Sequence, residues 1–201
     1  MLRVGLTGGI ACGKSTVAAM LVKRGARLLQ ADTQAHQLYS PGTAVYDEIL
    51  RCFGREVLSD DGTINRARLA NVVFPNRIAE LNAIVHPAVI ESQNQWMNEV
   101  ARADPHAIAI VEAALIIEAG AEDDFDKLIV VICDFERKVE RYAGRAGVSL
   151  EAARSEVERR SAAQLSDDEK TRHADYIIEN SGSLDETERQ VEKIWKELQA
   201  Q

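Results

Sequence analysis

The chain has 201 residues, 46% of them hydrophobic and 5% aromatic, and 32 acidic against 24 basic side chains give it a net charge of −8. That length fits one domain with a sizeable core and room for an inserted lobe. The acidic balance argues against a nucleic-acid partner, because phosphate backbones select basic surfaces, and no apolar run is long enough to span a bilayer. Met1 to Gly5 lacks the charged and apolar regions of a signal peptide, so the chain is expected in the cytoplasm. Cys12, Cys52 and Cys133 are odd in number and widely spaced, which fits neither a disulfide framework nor a metal site.

Val4-Gly5-Leu6 reads as the first strand, and the residues after it carry the chemistry. Gly8, Gly13, Lys14 and Ser15 stand in the register G-x-x-x-x-G-K-S, followed by a helix-like run from Thr16 to Lys23. Glycines let successive backbone N–H groups turn inward around a phosphate, and the helix N-terminus adds partial positive charge. Gly8, Gly9, Ala11, Cys12 and Gly13 thus supply a cradle, with Thr16 at the helix start. Lys14 reaches the outer phosphates and the Ser15 hydroxyl ligates Mg²⁺. A nucleoside triphosphate is the expected ligand. The Cys12 thiol, beside Lys14 at a helix N-terminus, is open to two readings: a lowered pKa or an inert loop side chain.

Gly25 ends the first helix, and Arg27 to Ala31 forms a short second strand bounded by Asp32. In an open parallel sheet this is the edge at which ligands bind, so Asp32 is either a carboxylate facing a ligand or a cap for a helix from Thr33 to Tyr39; the two are compatible. From Ser40 to Ala103 the apolar spacing turns helical, between the turns Ser40-Pro41-Gly42 and Asp60-Asp61-Gly62. Helices are expected near 45–53, 66–74, 77–85 and 88–102, forming a lobe beside the sheet, with a break at His86-Pro87.

Ala107 to Val111 reads as a buried parallel strand ending at Glu112, where a Walker B acid contacts Mg²⁺ directly or through water. Lys127 to Cys133 is the fourth strand, and Phe135 to Ala146 a helix carrying Arg137, Arg141 and Arg145 at every fourth position. That stripe is either a phosphate clamp on a lid or a solvated face paired with Glu136 and Glu140. A Glu- and Arg-rich helix runs from Ser149 to Arg160. Tyr176 to Glu179 is the fifth strand, ending at Asn180-Ser181-Gly182, and Ser183 with Glu186 forms a capping box for an amphipathic last helix. The fold class is α/β: a P-loop nucleoside triphosphate hydrolase fold with a five-stranded parallel sheet flanked by helices.

Several short pieces, in order, make the chain resemble the dephospho-CoA kinase family over essentially its whole length. They are Leu6-Thr7-Gly8-Gly9-Ile10 with Gly13-Lys14-Ser15-Thr16, Ala31-Asp32, Asp61-Gly62 with Ile64 and Arg66, His86-Pro87, Leu115 with Glu118, Arg141 with Arg145, and Ala174 to Ile178 with Asn180. The resemblance implies ATP-dependent phosphorylation of the ribose 3′-hydroxyl of dephospho-CoA, the last step of coenzyme A synthesis, with ATP and Mg²⁺ as cofactors. It further implies a helical insertion over residues 33–103 that receives the acceptor, and a lid over 135–173. Asp32 matches the carboxylate that faces the acceptor hydroxyl and Asn180 lies near the adenine. Catalysis is then expected of Asp32, Lys14, Arg141 and Arg145, and metal binding of Ser15, Asp32 and Glu112. No nucleic acid or membrane partner is expected, and the chain is expected to be a monomer or weak oligomer.

Gln30, Ala114 and the pair Ala11-Cys12 depart from the family pattern, and the first two matter most. Gln30 replaces an acid two residues before Asp32, and Ala114 replaces a proline before the apolar pair; Ala11-Cys12 also replaces a small pair, at positions that contribute mainly backbone groups. The rivals are another nucleotide or nucleoside kinase of the same fold and a non-catalytic nucleotide-dependent switch, although the chain lacks the N-K-x-D segment of GTPases.

Overall fold

Runs of Val and Ile become the middle of a sheet here because both sheet faces are covered. In the computed structural model, which describes residues 1–74 and 76–201 with the side chains of 35 and 36 outside the described residues, all five positions of β3 (Ile108–Glu112) are buried. It lies beside β1 (Leu2–Gly8), whose other neighbour is β4 (Lys127–Ile132), and β5 (Tyr176–Glu179) follows β4. The short β2 (Arg27–Gln30) forms the opposite edge, giving the order β2-β3-β1-β4-β5 in a parallel sheet. Register pairs Leu6 with Glu112 and Gly8 with Val131, so the phosphate loop and the last residue of β3 emerge at the same edge.

Two compact units divide the chain: Met1–Leu29 with Glu99–Gln201, and Gln30–Asn98. In the first, α1 (Lys14–Lys23) and α9 (Leu184–Gln199) cover one sheet face through Val17, Leu21, Val191, Ile194 and Leu198, with Trp195 packed against them. Ser183 and Glu186 complete the expected capping box. Further helices, α6 (Phe135–Ala146), α7 (Leu150–Ser161) and the short α8 (Asp167–Thr171), complete this unit; α8 has its own capping box from Ser166 and Glu169 and is too short for periodicity to show. Among the described residues no helix is long and apolar enough to cross a membrane. All three cysteines are free.

The second unit is built around Val45, Ile49, Phe53, Val57, Leu69 and Val73. Its helices are α2 (Ala31–Leu38), α3 (Ala44–Phe53), α4 (Arg66–Val73) and the N-terminal part of α5 (Ile78–Ala103). The expected break at His86-Pro87 is corrected: α5 runs straight through Pro87. Proline removes one helical donor and crowds the preceding turn, yet Ile84 and Val85 before it and Ala88 after it pack on the same core, which holds both halves in one helix. Asp61 accepts hydrogen bonds from the Thr63 backbone and hydroxyl, closing the expected turn, and Leu58 bridges Ile64 across it.

A buried ion pair fastens α8 to the segment after β3. Lys170, fully buried, places Nζ 2.8 Å from Glu118 Oε1 and donates to the Ala114 carbonyl at 3.2 Å, while Glu118 Oε1 also accepts from the Leu165 N–H at 3.0 Å. Removing one partner of such a pair strands the other charge. Lys170→Ala is expected to lower unfolding free energy by about 3–5 kcal/mol, whereas Arg159→Ala, which breaks an exposed pair with Glu156, leaves the denaturation midpoint unchanged. Urea titrations that gave equal shifts would contradict this ranking.

Candidate active site

The loop between β1 and α1 takes a shape that only its glycines allow. At Gly8, with φ 150°, an added Cβ would stand 2.2 Å from the Val131 carbonyl oxygen, and at Gly13, with φ 95°, 2.1 Å from Asn180 Nδ2. Ala11 is the one non-glycine residue with positive φ among those described, at 54°, and its small side chain limits the strain. Lys14 curls back so that Nζ donates to the Gly8 carbonyl at 2.9 Å and the Gly9 carbonyl at 3.0 Å. The Ser15 hydroxyl donates to Glu112 Oε1 at 2.8 Å. Thr16 donates its backbone N–H to the Gly13 carbonyl at 3.0 Å, closing the first turn of α1.

Behind the loop stands a buried polar network. Asn180, 1% exposed, donates from Nδ2 to the Cys12 carbonyl at 2.7 Å, and its Oδ1 accepts from the Thr187 hydroxyl at 2.7 Å. Arg141 reaches the same Cys12 carbonyl at 3.2 Å and the Asn180 carbonyl at 2.7 Å. Asn180 and Arg141, singled out in the sequence, thus meet at the loop. Thr187 was missed, because a threonine inside an amphipathic helix carries no local mark of a buried partner.

The arginine stripe divides. Arg141 points at the loop, Arg137 pairs with Glu140 at 3.0 Å in solvent, and Glu136 is taken by Arg154 of α7 at 2.6 Å. Arg145 is exposed, with its guanidinium 5.5 Å from the Tyr142 ring centroid. Among the described residues no hydrogen bond or ion pair ties it to the loop, although Tyr142 packs on the cluster that holds Ile10. One helical turn advances about 5.4 Å, which carries Arg145 past the Cys12 carbonyl that Arg141 reaches. Also missed was Lys138, three residues before Arg141 on the same face; Lys138 Nζ lies 2.5 Å from Asp167 Oδ2 of α8. Its spacing from Arg141 was the available clue.

Cys12 is resolved in favour of the inert reading. It is fully buried, and burial pushes its thiol pKa up against the opposing pull of Lys14. Ala114 enters the structure through its carbonyl, which accepts from Lys170, and a proline would supply the same group.

In the second unit Asp32 is exposed and sits in the first turn of α2. The expectation of a cap for a helix starting at Thr33 is corrected, since β2 passes directly into α2 at Ala31 and leaves no residue between them to act as one. Asp32 lines a recess of about 430 Å³ with Tyr39, Arg66, Leu69, Val73 and Phe74. Burial pushes the Tyr39 phenol pKa up, opposed by the nearby Arg66 charge. The lining thus combines the charged Asp32 and Arg66 with apolar side chains, among them Phe74, which is 62% exposed.

A family model described as dephospho-CoA kinase matches residues 2–186. The chain belongs to the dephospho-CoA kinase family. It is 44% identical over 199 residues to the dephospho-CoA kinase of Geobacter metallireducens, covering 98% of this chain and 96% of that one, and 40% identical over 200 residues to that of Aquifex aeolicus, covering 98% of each. Among solved structures, a Thermus thermophilus protein superposes with a TM-score of 0.81 at 34% identity, and the dephospho-CoA kinase of Campylobacter jejuni with 0.70 at 26%; each match covers 98% of this chain and 97% of the other. A shikimate kinase from Acinetobacter baumannii, at 16% identity, a TM-score of 0.52 and coverage of 100% of this chain and 94% of that one, shares the fold alone.

For this kinase the geometry separates two arginines that look equivalent in sequence. Arg141→Ala is expected to lower kcat by about 10²- to 10³-fold, the range for losing one preorganised charge donor. Arg145→Ala is expected to change kcat by less than about threefold, since an exposed cation–π contact contributes little. Steady-state kinetics in which the two variants lose equal activity would contradict the assignment.

Proposed function

We propose that this chain transfers the γ-phosphoryl group of ATP to the ribose 3′-hydroxyl of dephospho-CoA, releasing coenzyme A and ADP as the last step of coenzyme A synthesis in the cytoplasm. The supporting observation is the intact phosphate loop, with Lys14 Nζ at the Gly8 and Gly9 carbonyls and Ser15 against Glu112, in a chain that the family model matches over residues 2–186.

Phosphoryl transfer asks a protein mainly for positioning and charge neutralisation. In our reading the backbone N–H groups from Gly9 to Ser15 hold the inner phosphates, with Thr16 beside them at the helix start, and Lys14 exchanges its two carbonyl partners for outer phosphate oxygens. The Ser15 hydroxyl and Glu112 carboxylate are hard oxygen donors 2.8 Å apart, a set that fits Mg²⁺, which would neutralise charge between the β- and γ-phosphates. Arg141 adds a cation at the same loop. Asn180 serves the nucleotide side through the Cys12 carbonyl, to which its Nδ2 donates while its Oδ1 accepts from Thr187.

Asp32 is proposed as the base or orienting carboxylate for the acceptor hydroxyl, with a water-mediated metal contact as its alternative role. The recess it lines suits an acceptor with both a charged pyrophosphate and apolar portions: Arg66 would meet the former, and Leu69, Val73 and Phe74 the latter. Residues 33–103 are read as the acceptor-binding insertion and 135–173 as the lid. Gln30 leaves Asp32 the one acid of its motif.

An acceptor screen tests the substrate. Dephospho-CoA is expected to be phosphorylated in strong preference to nucleoside monophosphates, nucleosides and pantothenate; equal turnover of a nucleoside monophosphate would contradict the reading. Asp32→Asn is expected to lower kcat by about 10²- to 10⁴-fold, the range for a positioned acid–base group, with ATP binding and melting temperature little changed. Partial rescue at high Mg²⁺ would assign Asp32 to the metal, and retention of more than about a third of kcat would remove it from catalysis.

A further inference from the structure

Beside the phosphate loop the structure holds a cation that the G-x-x-x-x-G-K-S register does not predict. Lys138 is 8% exposed and lies on the face of α6 that carries Arg141. Its ammonium sits over Gly9: a Cβ added there would stand 3.3 Å from Lys138 Nζ and 3.2 Å from Asp167 Oδ1. Gly9 is also the residue whose carbonyl accepts from Lys14 Nζ at 3.0 Å. The two lysines therefore converge on one residue of the loop, at the end where a P-loop lysine meets the outer phosphates.

A lysine this deeply buried is costly unless its charge is answered. Asp167 answers it, with Oδ2 2.5 Å from Nζ. The partner is unusual in place, since a carboxylate at the rim of a phosphate cradle repels the ligand that the cradle is built for. Lys138 and Asp167 also border a recess of about 270 Å³ with Gly9, Phe135 and Ser166, which gives the ammonium room to move.

We infer that Lys138 is a second lysine for the outer phosphate of the nucleoside triphosphate, and that Asp167 holds it over Gly9 and competes with that phosphate for it. This rests on the kinase reading above and adds to it a residue that distinguishes a triphosphate from a diphosphate. An ammonium has three donors, so a γ-phosphate oxygen can take one position while Asp167 loosens. The exchange swaps one anionic partner for another and leaves no buried charge alone.

The test is calorimetric binding of ATP and ADP to the full chain, with thermal melting alongside. Lys138→Met is expected to raise the Kd for ATP about tenfold or more, as for loss of a charge-assisted hydrogen bond, while the Kd for ADP changes less than about twofold. Lys138→Arg is expected to restore most of the ATP affinity. Asp167→Asn, which removes the competing charge, is expected to tighten ATP and leave ADP unchanged. A purely structural pair would move ATP and ADP affinities together, or move the melting temperature alone; either result overturns the inference, as does weaker ATP binding in Asp167→Asn. Lys14→Ala separates the two levels: loss of ATP binding there, with Lys138→Met unaffected, would leave the kinase reading standing and remove Lys138 from the site.

Discussion

The carbonyl oxygen of Cys12 is the point on which the phosphate site depends. Asn180, just past the end of β5, and Arg141, on the helix after β4, both donate to it, so two neighbouring crossover segments are tied to one peptide unit. In a trans peptide the C=O and the following N–H point in opposite directions. Fixing the Cys12 carbonyl toward Asn180 and Arg141 therefore aims the Gly13 N–H to the opposite side, as a cradle of inward amides requires. The glycine is needed for the same reason: a side chain at Gly13 would collide with the Asn180 amide that does the fixing.

The same packing explains how an acidic protein assembles a cationic site. Lys14, Lys138 and Arg141 all gather around the loop, and each has oxygen partners already in place: carbonyls for Lys14 and Arg141, a carboxylate for Lys138. Such preorganisation matters more than the number of charges, because donors already oriented lose little by reorganising when a phosphate arrives. The surrounding arginines have a different character. Arg137, Arg154, Arg159 and Arg160 bond to nearby glutamates in exposed pairs that salt screens and that contribute little. The stripe of Arg137, Arg141 and Arg145 thus divides into one half-buried residue that bonds to the loop and two exposed ones, according to what each turn of the helix faces.

Local patterns made much of this legible in the sequence. The strand–loop–helix at Gly8 to Ser15, the buried β3 with Glu112 at its end, and the capping box at Ser183 depend on residues close in the chain, and the structure reproduces them. What escaped depends on tertiary neighbours. Nothing near Pro87 shows that a common core holds α5 together on both sides of it. Lys170 looks like one more charge in a polar segment until its burial against Glu118 is seen, 52 residues upstream in number. Lys138 and Asp167 are separated by 29 positions, and only the packing of α6 and α8 beside Gly9 joins them. The thiol of Cys12 shows the same limit: a helix N-terminus and a lysine argue for a lowered pKa, and burial reverses the direction.

If the Cys12 carbonyl organises the site, weakening its hold must be felt in nucleotide binding before anything else. Asn180→Ala removes one of its two donors while leaving Lys14, Ser15 and Glu112 in place. The most direct measurement is the Kd of ATP for this variant by titration calorimetry, at a temperature where circular dichroism shows it folded. The account predicts a rise of about tenfold or more, as for a lost buried hydrogen bond and a loosened loop; an affinity within about twofold of the parent chain would contradict it.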